Sequence, residues 1–378
     1  MIRRPLLSLL ALGLAAVALA AATSPPSATL TSVIKTAGDP QASRTALEQD
    51  PAGYAWDLFL ALSSPLTGPG PKVWETTYRQ TSTIYLATGQ APALWGSGQG
   101  PCGPGIHDLD TSIQVDGLSL NDKWGQPVRY QLLMNEPAFN YLVSRGFYNV
   151  NGQEAAAAAG LPADFPPDSF ELKTSWIWIG QDPAKLSALQ GKYYIANACY
   201  EIFDRDGRPA GWQTGSAALA GMHIINKLLP TWVWITFENI YNDQFTQAKL
   251  ELPIAPPVQA ANQSRQQQLQ GLGSVFANYQ LDGVQTTFNQ PGTTTPTLLA
   301  NSTIETAFQT QSSCITCHST ASITPNGAYF NFVDTSGGNV SYYVGTPPDL
   351  HAKGYVPLDF VWSMKRASRL KTPQTAAR

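Results

Sequence analysis

Ser313-Cys314-Ile315-Thr316-Cys317-His318 sets two thiols one helical turn apart, with an imidazole beside the second, and only 60 residues follow it in a chain of 378. Sixty residues are few for a self-contained fold, so the long region before the motif is expected to supply part of whatever pocket the motif serves. With 4 Cys and 4 His in the chain, random placement would generate C-x-x-C-H on the order of 4 × 10⁻⁴ times. Each position has a chemical reason. Two thiols at this spacing can each add to one vinyl group of a porphyrin, and the adjacent His turns its imidazole to the iron from the proximal side. The motif predicts one covalent haem c, with Cys314 and Cys317 as thioether donors and His318 as an iron ligand. One motif predicts exchange of one electron at a time.

Two other chemistries use C-x-x-C, a zinc site and a redox dithiol. Zinc would need two more ligands, and the remaining cysteines, Cys102 and Cys199, lie more than a hundred residues away. A redox dithiol would follow a strand in a βαβ unit. Here Asn301-Ser-Thr-Ile-Glu305 reads as a capping box starting a helix that runs into Cys314.

The N-terminus carries Arg3 and Arg4 ahead of an uncharged run over 6–22, with Ala18-Leu19-Ala20 as a small-x-small site. It predicts a secretory signal peptide over 1–20, with an uncleaved anchor as the alternative, since 5–22 is near the lower limit for a span. The expected location is periplasmic or otherwise exported, with no integral membrane span after cleavage. Losing Arg3 and Arg4 takes the net charge from −3 to −5, and no basic run exists, which disfavours nucleic acid and anionic membranes as partners. In an oxidising compartment Cys102 and Cys199 are candidates for a disulfide, with two free buried thiols as the alternative.

Charged residues are only 13% of the chain, while 31 Gly and 29 Pro punctuate it, a turn-rich globular composition. Three- and four-residue apolar steps predict a helix over 54–62, and others are expected over 72–86 and 137–144. Runs of β-branched and aromatic residues predict strands over 128–134, 170–179, 191–203, 222–228 and 232–237. Pro-, Ala- and Thr-rich stretches at 252–262 and 289–296 read as linkers. The expected fold is α+β: helices and a mainly antiparallel β-sheet over 21–290, then a short helical haem segment over 291–378, with the boundary near Pro291.

Further motifs along the chain resemble a family, the large exported bacterial proteins known only as cytochrome c family, each with one C-terminal haem motif. The resemblance rests on Trp56-x-x-Phe59-Leu-Ala-Leu62, Val73-Trp74-Glu75-Thr76, Gly221-Met222-His223-Ile224, Trp232-Val-Trp-Ile-Thr-Phe-Glu238 and Leu299-Ala-Asn-Ser-Thr-Ile-Glu-Thr306. Asp359-Phe360-Val-Trp362 is similar to a closing Asp-Phe-x-Phe. The matches span about 300 residues. Asn239 stands where the family often has His, so no histidine role carries over there, and Trp362 stands where it has Phe. The resemblance implies haem c and export, and no particular substrate.

The sixth iron ligand is left between His223, on a strand with its imidazole opposite Met222 and Ile224, and Met364, which follows the motif by 46 residues. A satisfied structural histidine is the alternative for His223, and His351, Met222 or an open site are the remaining choices. His107, with Asp108 and Asp110, reads as a solvated loop rather than a metal site. Lys227 and Glu238 are candidates for a buried pair near the haem, with ordinary surface or structural pairing as the alternative. The functional expectation is one-electron transfer to an unidentified redox partner protein. The alternative is a haem-dependent oxidoreductase or a gas-binding sensor module with an open iron position.

Overall fold

The computed structural model describes residues 40–97, 100–110, 118–334 and 341–371; the expected signal peptide at 1–20 lies outside them. Among the described residues no helix is long and apolar enough to cross a membrane.

Helix α1 (Pro40–Gln49) leads into α2 (Pro51–Leu62), whose start is written in its first residues. The Asp50 carboxylate accepts from the Gly53 N–H at 2.9 Å, and Pro51 occupies the first turn, where a backbone donor is not needed. The expected apolar face, Ala55, Trp56, Phe59 and Leu60, is buried. Phe59 stacks on Phe237 with ring centroids 4.2 Å apart, and Trp56 meets the same ring edge-on at 4.9 Å. Burying a ring of this size contributes roughly 1.5–3 kcal/mol.

Phe237 belongs to an eight-stranded sheet: β1 (Tyr78–Gln80), β2 (His107–Asp108), β3 (Arg129–Asn135), β4 (Phe170–Gly180), β5 (Ile195–Phe203), β6 (Pro209–Asn226), β7 (Val233–Asn239) and β8 (Tyr279–Gln285). The run β1-β3-β4-β6 is antiparallel. The far edge of β6 is shared, its first half pairing with β5 and its second with β7, which pairs with β8. Only the two-residue contact of β2 with β5 is parallel. The strand expected over 222–228 is thus the end of an 18-residue strand. The protein is α+β with a mostly antiparallel sheet.

Side chains alternate across this sheet. Leu172, Met222, Ile224, Ile235 and Phe237 share one core with α2, while Met134, Ile225 and Trp234 share another with the C-terminal residues Cys314, Ile315 and Met364. Helix α2 therefore covers one face, and the C-terminal segment lies on the other.

Three expected elements differ. The helix over 72–86 is only α3 (Val73–Thr77), because Tyr78 begins β1 opposite Asn135, and the β-branched Thr76, Thr77, Thr81 and Thr83 favour that switch. The linker over 252–262 is largely the start of a helix, Pro256–Gly271: two prolines fit its first turn and the Ala and Gln after them sustain it. The helix expected from 301 into Cys314 is a series of turns. Its capping exchange forms, since the Asn301 N–H donates to Glu305 Oε2 at 2.8 Å and Asn301 Oδ1 accepts from the Thr303 N–H. But Asn301 Nδ2 also donates to Thr236 Oγ1 and the Phe237 carbonyl of β7, which ties the segment to the sheet.

Candidate functional site

The C-x-x-C-H residues open a six-residue helix, Cys314–Ser319, too short to hold itself in water. Both its ends are fastened from outside. Gln285 of β8 accepts from the Ile315 N–H at 3.0 Å and donates to Ser313 Oγ at 2.9 Å. At the other end Trp362 Nε1 donates to the Cys317 carbonyl at 3.0 Å. The Phe that the resemblance would place there could not make this bond.

His318 packs against Trp234 of β7, ring centroids 4.4 Å apart, and its Nδ1 lies 2.8 Å from the Phe360 carbonyl. A carbonyl only accepts, so Nδ1 carries the proton and Nε2 keeps its lone pair. Protein encloses the ring while part of it borders a cleft. This enclosure holds the imidazole down at about 4, against the pull of the Phe360 bond. The carbonyl is aimed by unusual backbone: Asp359 and Phe360 have φ of 51° and 67°, a conformation that costs non-glycine residues on the order of 1–3 kcal/mol each. The Asp359 carboxylate offsets that cost with bonds from Lys227 Nζ, Trp232 Nε1 and the Phe165 N–H.

Cys314 and Cys317 are free thiols bordering the same cleft, a cavity of about 350 Å³. Burial pushes the Cys317 thiol up to about 12 and raises Cys314 as well. A redox dithiol needs the opposite shift, toward thiolate. The floor is sheet: Leu132, Lys173 and His223 form one cross-strand row, and Glu171 and Ile225 lie in the next. The Trp362–Arg366 turn closes one side, Ser363 Oγ donating to Glu171 Oε1 at 2.6 Å. Burial pushes the Glu171 carboxyl up to about 7, with the Ser363 bond opposing.

His223 faces the cleft while Met222 and Ile224 point into the core on the helix side, as strand alternation requires. Its Nε2 is buried without a hydrogen bond, and Glu305 Oε2 approaches it to 3.4 Å. Burial alone would raise the Glu305 carboxyl, but the imidazole beside it holds it below the usual range. Met364 does not line the cleft: it is fully buried in the core shared with Met134, Phe139 and Ile315. His351 is exposed on a 3₁₀ turn, away from the cleft. Of the side chains considered for the sixth position, only His223 lines the cleft.

His107 is not in a solvated loop. It is buried on β2, with Nε2 2.8 Å from Glu75 Oε1 and Nδ1 3.0 Å from Gln131 Oε1, held there because strand pairing draws it inward. Asp110 instead pairs with Arg366 at 2.5 Å. Lys227 and Glu238 do not pair with each other: Lys227 binds Asp359, and Glu238 accepts from the Ser302 N–H at 2.8 Å. Asn239 serves the backbone, donating to the Lys192 carbonyl. Cys102 and Cys199 form a disulfide.

Lys173, Glu171 and Arg366 were not singled out by sequence, and Glu305 was read only within the capping box and the resemblance. Polar residues alternating with Leu172 on β4 give the same pattern beside water or a cleft, and only the segment laid over that face turns it into a cleft wall.

Among the described residues no three His, Cys, Asp or Glu side chains converge to hold a bare metal ion. A pair of free thiols beside one imidazole with a free Nε2 fits a metal that brings most of its own donors, as haem iron does. Compared with family models, curated proteins and solved structures, the chain matches none.

Proposed function

We propose that the chain is an exported mono-haem c-type cytochrome that passes one electron at a time to and from a redox partner protein. Cys314 and Cys317 would hold the haem by thioethers, His318 Nε2 would be the proximal iron ligand, and His223 the sixth. Bound there, the haem would supply one-electron ferric/ferrous chemistry. The observation that carries the reading is the His318 Nδ1–H bond to the Phe360 carbonyl. It fixes the tautomer, leaves Nε2 free on the cleft shared with both thiols, and is the kind of outer bond that orients metal-ligating histidines. The Cys102–Cys199 disulfide supports an oxidising compartment, as do the leader expected from the sequence and the resemblance to exported cytochromes.

Two strong protein ligands suit electron transfer, and an open iron position suits turnover of a small molecule. Low-temperature spin resonance of the holoprotein separates them. The expected wild-type signal is low-spin, converted to high-spin in His223→Ala with carbon monoxide binding gained. An unchanged low-spin signal in that variant would remove His223 from the iron, and a high-spin wild type would favour the haem-dependent oxidoreductase or sensor.

A further inference from the structure

The cleft is chemically lopsided. Its thiol end lies over β7 and β8, fixed by the His318–Trp234 contact and the Gln285 bonds to Ile315 and Ser313. Its cations lie at the other end, Lys173 on β4 and Arg366 on the turn over β3 and β4. We infer that this second end is a carboxylate-binding site, in which Lys173 and Arg366 take the two propionates of the tetrapyrrole; the inference rests on the haem reading above.

The span supports it. Trp234 of β7 lies in the cross-strand row of Glu171, so Lys173 of β4 is two strands across and two residues along from it, roughly 12 Å at ~4.8 Å per strand and ~3.4 Å per residue, which is comparable with the width of a porphyrin. A macrocycle tethered through its vinyl edge at the cysteines directs its opposite, propionate-bearing edge toward these cations. Their partners leave them available. Among the described residues Lys173 is half-buried in the cleft with no hydrogen bond or salt bridge, its ammonium 5.5 Å from the centre of the Tyr130 ring. Glu305 and Asp110 feel its charge but neither bonds to it, and half-burying a cation with no bonded anion is unfavourable. Arg366 gives one donor to Asp110 Oδ2 and has further N–H groups in its planar fork. Burial pushes the Asp110 carboxyl up to about 6 even beside Arg366, which weakens its claim on the guanidinium charge. Two acids also border the cleft. Glu171 is bonded to Ser363, and Glu305 is engaged by His223 and the Asn301 N–H, so neither bonds to the Lys173 ammonium, although Glu305 shares its field.

The test uses holoprotein matured with haem carrying ¹³C in its propionate carboxyls, and reads the isotope-sensitive bands of the reduced-minus-oxidised infrared spectrum. Lys173→Met and Arg366→Gln are expected to retain covalent haem by mass and to shift those bands. Because Arg366→Gln also removes the partner of Asp110, Lys173→Met is the decisive variant. Isotope-sensitive bands identical to wild type in Lys173→Met would overturn the assignment. Wild-type protein without covalent haem would instead defeat the reading on which it rests.

Discussion

A residue's chemistry in this protein depends on which side of the sheet receives it. Glu171 and Lys173 alternate with Leu172, and that pattern is the same whether the polar side meets water or a cleft roofed by distant chain, so sequence could not distinguish the two. The motif cysteines and His318 stood out by their spacing, and the structure brings them to one cleft; His223 was legible as facing away from Met222 and Ile224 because strand alternation sets it so. The partner of Lys227 was not legible because it is Asp359, 132 residues away, rather than Glu238. Glu171 carries a pH signature. Burial pushes its carboxyl from 4.5 up to about 7, so the folded state keeps a proton that the unfolded chain releases, and this contribution to stability falls as pH rises through that window. Glu171→Gln lacks that loss. Its stability relative to wild type, from urea unfolding, is expected to rise by roughly 1.4 kcal/mol per pH unit between the two values. A difference flat with pH would show that Glu171 is not held protonated.

At the scale of elements, the strands were more legible than the helices. Runs such as 170–179 and 232–237 combine β-branched and aromatic residues with short turns, and tertiary pairing agrees with local preference. Where the two conflict, pairing decides: β1 takes over a stretch whose apolar spacing favours a helix, and Asn301, whose Oδ1 still caps Thr303, commits its Nδ2 to β7 with no helix following. That second contact requires a glycine. A Cβ on Gly221 of β6 would come within 2.9 Å of the Asn301 amide and of Ser175 Oγ, so the element leading to the motif can seat on the sheet only if this position is bare. Gly221→Val is expected to lower stability by about 1–3 kcal/mol through overpacking, with the loss read as a lower urea midpoint at unchanged slope. Wild-type stability would mean that the 301–305 turns yield without cost.

For the whole molecule, the sheet acts as a partition. Helices built around Trp56 and Phe59 stabilise one face, and the other holds the cleft between Cys314, Cys317 and His318 and the row Leu132, Lys173 and His223. The expectation that the long first region would form part of the pocket was reachable from the shortness of the tail. The layout was not, because it depends on β6 being long enough to pair with β5 at one end and β7 at the other. The central claim is that this cleft holds one haem bonded to the chain. Intact mass of protein matured in a periplasm, measured before and after acid–acetone extraction, tests it directly. The account predicts the processed polypeptide plus one haem in both samples, and a mass that returns to the bare polypeptide after extraction would contradict it.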